Sequence, residues 1–310
     1  MKNVLTLQEI NRRAKTDAVG FVQEESARFS ADIGRLTENI LNTPHDRLLI
    51  MLSGPSSSGK TTTASMLTQA LAAHGVESHV VSIDDFYRGR GMAPVLEDGS
   101  LDYEALEALD VPAMQACLSA LLDRGEATLP IFDFVEGKPS AQTRTLTVSP
   151  HAAVIFEGIH AINPIFEQHI ARDRMIKLFV NPDRQVYHGE DVWLSSRQLR
   201  LTRRTVRDNR FRNSGPDNTL VMWPQVVRGE NRYMFPFVDT VDYRIDTTHA
   251  FEFGVFMPEL LSLLQTVSPD HPALPTALAL RDAMQAFEPI DPLTVPRDSL
   301  LREFLGDVGL

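Results

Sequence analysis

A loop rich in glycine and serine, with a lysine near its end, is the part of this chain best suited to chemistry. Loops of this type turn backbone N–H groups toward a polyphosphate, while the lysine reaches the β- and γ-phosphates and the next hydroxyl ligates Mg²⁺. The spacing therefore predicts a site for a nucleoside triphosphate and its metal ion. The predicted site residues are Gly54, Pro55, Ser56, Ser57, Ser58, Gly59, Lys60, Thr61 and Thr62.

The segments on either side of the loop match what the loop requires. An apolar run over residues 48–53 is a candidate for a buried strand, and residues 62–73 have the composition of a helix that ends before Gly75. A strand, a glycine-rich turn and a helix are the context in which such a loop binds phosphate. The alternative is an ordinary turn rich in glycine and serine, and the flanks favour the phosphate-binding interpretation.

Two acids follow predicted strands further along the chain. Asp84 and Glu157 each stand directly behind an apolar run. Because the carboxyl ends of parallel strands meet at one edge of a sheet, both are expected beside the phosphate loop. There Asp84 can accept a proton from an attacking hydroxyl or hold Mg²⁺ through water, and Glu157 can orient the metal ion. The alternatives are a capping role for Asp84 or Asp85 and a purely structural role for Glu157.

The charge of the chain is least even over residues 197–212, where seven arginines face one acid, Asp208. They are Arg197, Arg200, Arg203, Arg204, Arg207, Arg210 and Arg212. Spacings of three and four place those from Arg200 to Arg207 largely along one side of a helix. Guanidinium groups suit phosphate oxygens and neutralise the charge on a transferring phosphoryl group. The sequence therefore predicts an anion receptor, and the alternative is a solvated helix paired with acids elsewhere.

The remaining pattern predicts one α/β domain, built on a parallel sheet with helices on both faces. Further strand candidates cover residues 79–83, 152–156, 175–180 and 241–245. A short hairpin is predicted from 128–134 and 144–148, with its turn at 136–142, and a helix over 250–266 completes the domain. The predicted organisation is a helical N-terminal extension over 1–47, a domain over 48–267 and a helical C-terminal tail over 268–310.

The composition limits the partners of the chain. Its 310 residues are 43% hydrophobic and carry a formal net charge of −11, which argues against a general affinity for nucleic-acid backbone or anionic membrane. The single Cys117 excludes an intramolecular disulfide, and no two of the nine histidines have the spacing of a helical zinc site. No apolar run reaches membrane-spanning length. We expect a cytoplasmic protein that binds a small molecule and has no nucleic-acid or membrane partner.

Several motifs occur in a fixed order between about Leu48 and Leu260. They are GPSSSGKTT, SIDDFY, LDYEALEALD, FDFVEGK, FEGIHAIN and RLTRRTVRDNRFR. In this order they resemble the uridine kinase and phosphoribulokinase family. The resemblance implies a three-layer P-loop kinase fold with a central parallel sheet, helices on both faces, a small β-hairpin and an arginine-rich lid. It also implies ATP as phosphate donor and Mg²⁺ as cofactor, and it permits a dimer or tetramer.

Carried over residue by residue, the resemblance assigns roles in phosphoryl transfer. Lys60 and the loop amides hold the phosphates. Asp84 becomes the general base and a participant in the Mg²⁺ shell, with Thr61 and Glu157 as metal partners. The lid arginines, which meet phosphates or substrate, are Arg204, Arg207 and Arg212.

The resemblance also implies contacts to the acceptor. Asp102 corresponds to the acid that holds sugar hydroxyls, and Tyr87 and Phe132 lie beside the acceptor. Uridine kinases usually carry Tyr-Asp-Phe and then a histidine in the hairpin, whereas this chain has Phe132 and Gly137 at the corresponding places. Because recognition of a polar group depends on paired hydrogen bonds, these departures weigh against uridine and leave the acceptor open.

Three functions are compatible with these residues. The first is a kinase that transfers the γ-phosphoryl group of ATP to a hydroxyl of a uridine- or cytidine-like nucleoside or a related small molecule. The second is a kinase of the same fold that acts on a sugar phosphate or polyol. The third is a nucleotide-responsive regulatory protein without efficient catalysis. The combined motifs favour the first.

Overall fold

The computed structural model describes residues 4–43, 46–97, 99–168 and 170–306. Its N-terminal part consists of a short strand and two helices, β1 (Leu5–Thr6), α1 (Leu7–Thr16) and α2 (Ala18–Leu41). Thr6 and Asp17 cap the helices, since their side chains accept hydrogen bonds from the N–H groups of Glu9 (3.2 Å) and Gly20 (2.9 Å). Helices therefore cover most of the segment that the sequence predicts to be a helical extension.

The chain then alternates between strands and helices. The next elements are β2 (Leu48–Ser53), α3 (Lys60–Ala73), β3 (Ser78–Ser82), α4 (Val111–Arg124), β4 (Glu126–Asp133), β5 (Lys138–Thr147) and β6 (Ala153–Glu157). They are followed by β7 (Met175–Asn181), β8 (Val186–His188), β9 (Asp191–Leu194), α5 (Ser196–Phe211), α6 (Pro216–Tyr233), β10 (Tyr243–Asp246), α7 (Glu252–Leu264), α8 (Leu274–Met284) and α9 (Arg302–Leu305). Among the helices in the described ranges, none combines the length and apolar character needed to cross a bilayer.

Five strands form one parallel sheet in the order β10-β7-β2-β6-β3. The four strands predicted to join the loop strand are all present, and their ends lie within two residues of the predicted positions. The predicted α/β fold with a parallel sheet is confirmed. Its topology places the loop after β2 and the acids at the ends of β3 and β6 at the same edge.

Alternate residues of the central strand β2 face two hydrophobic clusters. Leu48, Ile50 and Leu52 belong to the larger cluster, whereas Leu49 and Met51 belong to the smaller one. The larger cluster also contains side chains of α2, α3, α7 and α9, and the smaller cluster contains side chains of α4. The N-terminal helices and the C-terminal tail therefore share one core on the same face of the sheet.

The predicted hairpin is present, but its turn is shorter than predicted. Strands β4 and β5 pair antiparallel, so the prediction of a turn was wrong for residues 138–142, which belong to β5. The chain reverses earlier because the Asp133 carboxylate accepts the N–H groups of Val135 (2.9 Å) and Glu136 (2.9 Å). Gly137 then adopts a φ of +66°, a left-handed conformation that favours glycine.

A small second sheet, β1-β8-β9, is absent from the sequence prediction. Strand β1 pairs parallel with β8, and β8 pairs antiparallel with β9. These strands have two to four residues, too few for a hydrophobic period to appear in the sequence. The sheet ties the N-terminal segment to the chain between β7 and α5.

Candidate active site

The predicted phosphate-binding loop connects β2 to α3 at the carboxyl edge of the sheet. Gly59, directly before α3, has a φ of +92°, a conformation that residues with a Cβ rarely adopt. The Lys60 ammonium group donates hydrogen bonds to the carbonyl oxygens of Gly54 (2.9 Å) and Pro55 (3.3 Å). The lysine charge is therefore held against the loop.

A buried ion pair supports the loop at Ser56. Arg200 and Glu230 have side chains 2% and 1% exposed and are joined by two hydrogen bonds (2.7 and 2.9 Å). Arg200 also donates to the Ser56 carbonyl oxygen (3.1 Å), and Glu230 accepts the Ser56 backbone N–H (2.7 Å). One charged pair from α5 and α6 therefore bonds both backbone groups of a single loop residue.

A second buried ion pair and a threonine support the next two loop residues. Arg203 and Glu252 are fully buried and are joined by two hydrogen bonds (2.7 and 2.9 Å). Arg203 donates to the Ser57 carbonyl oxygen (3.3 Å), and the Thr247 hydroxyl donates to the Ser58 carbonyl oxygen (2.7 Å). Side chains from distant segments of the sequence therefore fix the shape of the loop.

These contacts correct one part of the anion-receptor prediction. Arg200 and Arg203 are not available to an anion, because a buried carboxylate neutralises each of them. The partner acids, Glu230 and Glu252, lie 30 and 49 residues further along the sequence. They are therefore outside residues 197–212, the range in which the sequence analysis found one acid. Arg200 and Arg203 are supports of the loop.

Three of the five remaining arginines, those assigned to the lid by the family resemblance, line the cavity beside the loop. Arg204, Arg207 and Arg212 each have a guanidinium nitrogen within 3.6 Å of the same carboxylate, that of Asp208. Arg204 also donates a hydrogen bond to the Ser56 hydroxyl (2.7 Å). Because these three guanidinium groups share one paired carboxylate and line the cavity, they are placed to receive phosphate oxygens.

Helix α5, which carries two of these arginines and ends at the third, the C-cap residue Arg212, is packed into the core. Leu199, Leu201 and Val206 are buried, and helices α6, α7 and α9 contact α5. The segment that the family resemblance describes as a lid is thus, in this structure, a wall of the cavity.

The cavity beside the loop has a volume of about 260 Å³ and brings the predicted acids together. Asp84 and Glu157 line it with Lys60 and Thr61. Burial raises the pKa of the Asp84 carboxyl, although the positive charges of Lys60 and Arg212 act in the opposite direction. Burial also raises the pKa of Glu157. Two carboxyl groups that hold protons more tightly than usual therefore lie beside the loop.

The residues around this cavity fit a magnesium ion. The Thr61 hydroxyl and the carboxylates of Asp84 and Glu157 offer oxygen atoms, the donors that Mg²⁺ prefers. A divalent cation would also offset the burial that raises the pKa of both carboxyls. In the described part of the chain, no group of three His, Cys, Asp or Glu side chains is arranged to hold a metal alone. Phosphate oxygens and water would complete the coordination.

Two neighbouring acids at the end of β3 have different surroundings. Asp84 lines the cavity, whereas Asp85 accepts the Phe132 backbone N–H (3.3 Å) and lies 3.6 Å from Arg144 in the hairpin. The Ser82 hydroxyl accepts the Asp84 N–H (3.3 Å) and caps the following 3₁₀ turn. The capping role considered for Asp84 or Asp85 is therefore taken by Ser82.

A second cavity, of about 340 Å³, shares residues with the first. Its walls are mainly aromatic and include Tyr87, Tyr103, Phe132 and Phe134. The Phe132 ring lies edge-on to Tyr87 and to Phe134, with centroid distances of 6.0 and 5.1 Å. Tyr87 and Glu104 line both cavities, so they mark the junction between the phosphate side and the aromatic side.

The acid at this junction is Glu104 rather than the predicted Asp102. The Asp102 carboxylate accepts a hydrogen bond from the Tyr233 hydroxyl (2.7 Å) and lines a separate cavity of about 130 Å³. This placement does not support the predicted contact between Asp102 and sugar hydroxyls. Both acids belong to the same motif, but they lie in an irregular segment where no period indicates which side chain faces a site.

Glu104 has its place because Gly229 of α6 leaves room for it. A Cβ added to Gly229 would lie 2.4 Å from the Glu104 Cβ. Burial and the negative charge of Asp84 raise the pKa of Glu104 to about 7. Glu104 was not identified as a site residue in the sequence analysis. The available signal was that Glu104 is a second acid in LDYEALEALD, the motif that contains Asp102.

Not every predicted loop residue lines the cavity. Of the predicted loop residues, those from Ser56 to Thr61 line the cavity. Gly54 and Pro55 instead accept hydrogen bonds from Lys60 at their carbonyl oxygens. The hydroxyl and N–H groups of Thr62 donate to Glu303 (2.8 and 3.4 Å). Glu303 itself lines the cavity, and sequence reasoning missed it as well.

Comparisons with known proteins agree with this geometry. A profile of the Phosphoribulokinase / Uridine kinase family matches residues 49–250. The chain belongs to this family. Uridine kinases from Deinococcus deserti and Mycoplasma genitalium are 29% and 26% identical to it, over 60% and 58% of this chain and 81% and 75% of theirs. The predicted family is confirmed, and the chain is a phosphotransferase with a hydroxyl group as acceptor.

A solved structure shows the same architecture. It is a protein assigned as a fructose transport system kinase, from Silicibacter sp. TM1040, with 22% identity and a TM-score of 0.50 over 68% of this chain and 98% of that chain. At this identity the likeness concerns the fold alone. The predicted P-loop kinase fold is confirmed.

Proposed function

We propose that this family member is an ATP- and Mg²⁺-dependent kinase that phosphorylates a hydroxyl group of a nucleoside or a nucleoside-like ring compound. The proposal depends on the junction of the two cavities, where Tyr87 and Glu104 line both. A phosphate-binding loop and arginines lie on one side, and aromatic rings lie on the other. A donor and an acceptor bound in these cavities meet near Asp84.

Phosphoryl transfer depends mainly on positioning and on charge stabilisation. Lys60 and the loop N–H groups hold the phosphates of the donor. Arg204, Arg207 and Arg212 balance the negative charge that spreads over the transferring group. Bound Mg²⁺ supplies further charge neutralisation at the phosphates, next to Thr61.

Asp84 takes the proton from the attacking hydroxyl. Burial raises the pKa of its carboxyl, which favours proton uptake, and a bound cation would offset part of this rise. Lys60 and Arg212, whose charges act against this shift, keep the carboxylate available in its ionised form. Asp84 thus combines basicity with a position beside the phosphate loop.

The lining of the aromatic cavity favours an uncharged ring over a phosphorylated acceptor. The described residues around it include four aromatic rings and Glu104 but no lysine or arginine. The described lining of the aromatic cavity therefore offers the phosphate group of a sugar phosphate no basic side chain of its own. A polyol would leave the aromatic walls without a ring to stack on. The uridine kinases among the relatives also support a nucleoside.

An acceptor panel tests the proposal. ADP release is measured with ATP, Mg²⁺ and, in turn, nucleosides, sugar phosphates and polyols. We expect turnover with nucleosides. Asp84→Asn should lower kcat by about 10³-fold because general-base catalysis is lost, while the Kd for ATP is retained. Asp123→Asn, on the distant end of α4, is the control and should keep the wild-type kcat.

Two results would overturn the proposal. Turnover confined to sugar phosphates or polyols would reject the acceptor class. ATP binding without phosphorylation of any acceptor would favour the nucleotide-responsive regulatory protein instead.

A further inference from the structure

The C-terminal segment places a carboxylate against the phosphate loop. Leu300 lies over the loop, since a Cβ added to Gly59 would be 2.6 Å from its Cδ1 atom. Glu303 accepts hydrogen bonds from the Thr62 hydroxyl (2.8 Å) and N–H group (3.4 Å), although the two residues are 241 positions apart. Glu303 also lines the cavity that contains Lys60. A distant part of the chain thus occupies donors at the start of α3.

Those donors are the kind that a bound phosphate uses. Thr62 is the third residue of α3, and the N–H groups of a first helical turn have no carbonyl partner within their helix. The partial positive charge of a helix N-terminus also attracts anions. A phosphate that binds between the loop and α3 therefore competes with Glu303 for Thr62.

Glu230 and Glu303 both accept hydrogen bonds from backbone N–H groups of the loop and the first turn of α3, and they differ in charge balance. Glu230 accepts the Ser56 N–H but is neutralised by its two hydrogen bonds to Arg200. Glu303 has no ion-pair partner among the residues that the structure describes. Of these two carboxylates, Glu303 is therefore the one whose charge is not offset by a paired arginine when a polyphosphate approaches.

The backbone that carries Glu303 is firmly anchored. Leu300, Leu301 and Phe304 are buried, and the Phe304 ring packs edge-on against Phe256 with a centroid distance of 6.2 Å. The Arg203 guanidinium lies 5.2 Å from the centre of the Phe304 ring. A competing phosphate therefore displaces the Glu303 side chain and leaves the segment in place.

We infer that Glu303 is an internal competitor of the donor nucleotide. Its carboxylate holds Thr62 when no nucleotide is bound, and it leaves Thr62 when a phosphate takes the same donors. The inference rests on the proposed use of ATP. Its consequence is that the chain binds polyphosphate more weakly than the loop and arginines alone would allow.

Equilibrium binding to Glu303→Gln tests the competition without any acceptor. The probes are ATP with Mg²⁺ and inorganic tripolyphosphate with Mg²⁺. Calorimetry measures the Kd of each probe. Because the substitution removes the charge but keeps the size, we expect the Kd for both probes to fall by about three- to tenfold. Asp298→Asn is the matched control, since this exposed acid of the same segment should leave both Kd values within about twofold of wild type.

The binding results distinguish a competing carboxylate from a structural one. Unchanged or weaker binding by Glu303→Gln and by Glu303→Ala would overturn the inference and make Glu303 a structural or supporting residue. An equal gain in Asp298→Asn would overturn it too, because the effect would then be a general one of net charge. Failure of wild type and both Glu303 variants to bind either probe would reject the proposed function instead.

Discussion

Five arginines of helix α5 and its C-cap fall into two groups that differ in their partners. The inner arginines, Arg200 and Arg203, are buried, and each has its own carboxylate and a loop carbonyl. The cavity arginines, Arg204, Arg207 and Arg212, share one carboxylate and line the cavity. The same residue type thus fixes the shape of the loop in one group and, in the other, lines the cavity with three guanidinium groups that share one acid.

Loss of an inner arginine should produce the largest effect. Arg203→Met leaves Glu252 buried without its cation, so we expect the free energy of unfolding to fall by about 3–5 kcal/mol. Urea unfolding measures the loss. Arg197→Met is the control, because Arg197 is exposed on the same helix.

A second variant shows whether the charge itself is responsible. Arg203→Met combined with Glu252→Leu removes both charges, and we expect it to recover most of the stability while the loop still lacks its support at Ser57. If Arg203→Met and Arg197→Met have the same free energy of unfolding, the Arg203–Glu252 pair does not stabilise the protein.

Loss of a cavity arginine should affect turnover instead of stability. The Arg212 side chain is 59% exposed, and its guanidinium group lies 3.6 Å from the Asp208 carboxylate. The same carboxylate pairs with Arg207 at 2.7 Å. We expect Arg212→Met to lower kcat by about 10²-fold, or roughly 2.7 kcal/mol of transition-state stabilisation, with little change in unfolding. Steady-state kinetics and urea unfolding of the same preparation measure the two effects. A large loss of stability with unchanged kcat would reverse the assignment of the two groups.

The parts of the site that follow from short stretches of sequence could be predicted. The strand, loop and helix from residue 48 to 73 have a local pattern, and the acids Asp84 and Glu157 directly follow apolar runs. Parallel strands bring such residues to one edge without further information. The sequence therefore brings most of the loop, both acids and the three cavity arginines to one cavity, while their roles in catalysis and binding stay predictions.

The parts that depend on distant pairing could not be predicted. The partners of Arg200 and Arg203 lie 30 and 49 residues away, and Glu303 reaches Thr62 across 241 residues. No local period marks such pairs, so the inner and cavity arginines look alike in the sequence. Glu104 was missed for a different reason, because the space that Gly229 leaves for it appears only when α6 is packed.

A pH titration can sharpen the contrast between the inner and the cavity arginines. The charge of the cavity arginine Arg204 opposes the rise in the pKa of Glu104. The folded-state pKa of Glu104 is about 7, above its ordinary value of 4.5. Between these pH values the folded state holds more protons than the unfolded state, so the unfolding free energy falls as pH rises and then levels off. Glu104→Gln lacks this dependence.

Urea unfolding at several pH values measures the effect. We expect the stability of Glu104→Gln relative to wild type to rise by at most about 1.4 kcal/mol per pH unit between about 4.5 and 7. Glu107→Gln, an exposed acid in the same motif, should follow the wild-type profile. Parallel profiles for Glu104→Gln and wild type would show that Glu104 is not held in its protonated form.

The smallest effect is expected for Arg210, whose ion pair with Glu259 remains partly exposed at 31% and 27%. Because water and salt screen such a pair, Arg210→Met should lower the unfolding free energy by only about 0.5–1 kcal/mol. The loss should shrink in 1 M NaCl, where the Debye length is about 3 Å, whereas the loss in Arg203→Met should persist because that pair is fully buried. Urea unfolding at low and high salt compares the two. An equal, salt-independent loss at both positions would mean that burial does not separate the inner arginines from the rest of α5.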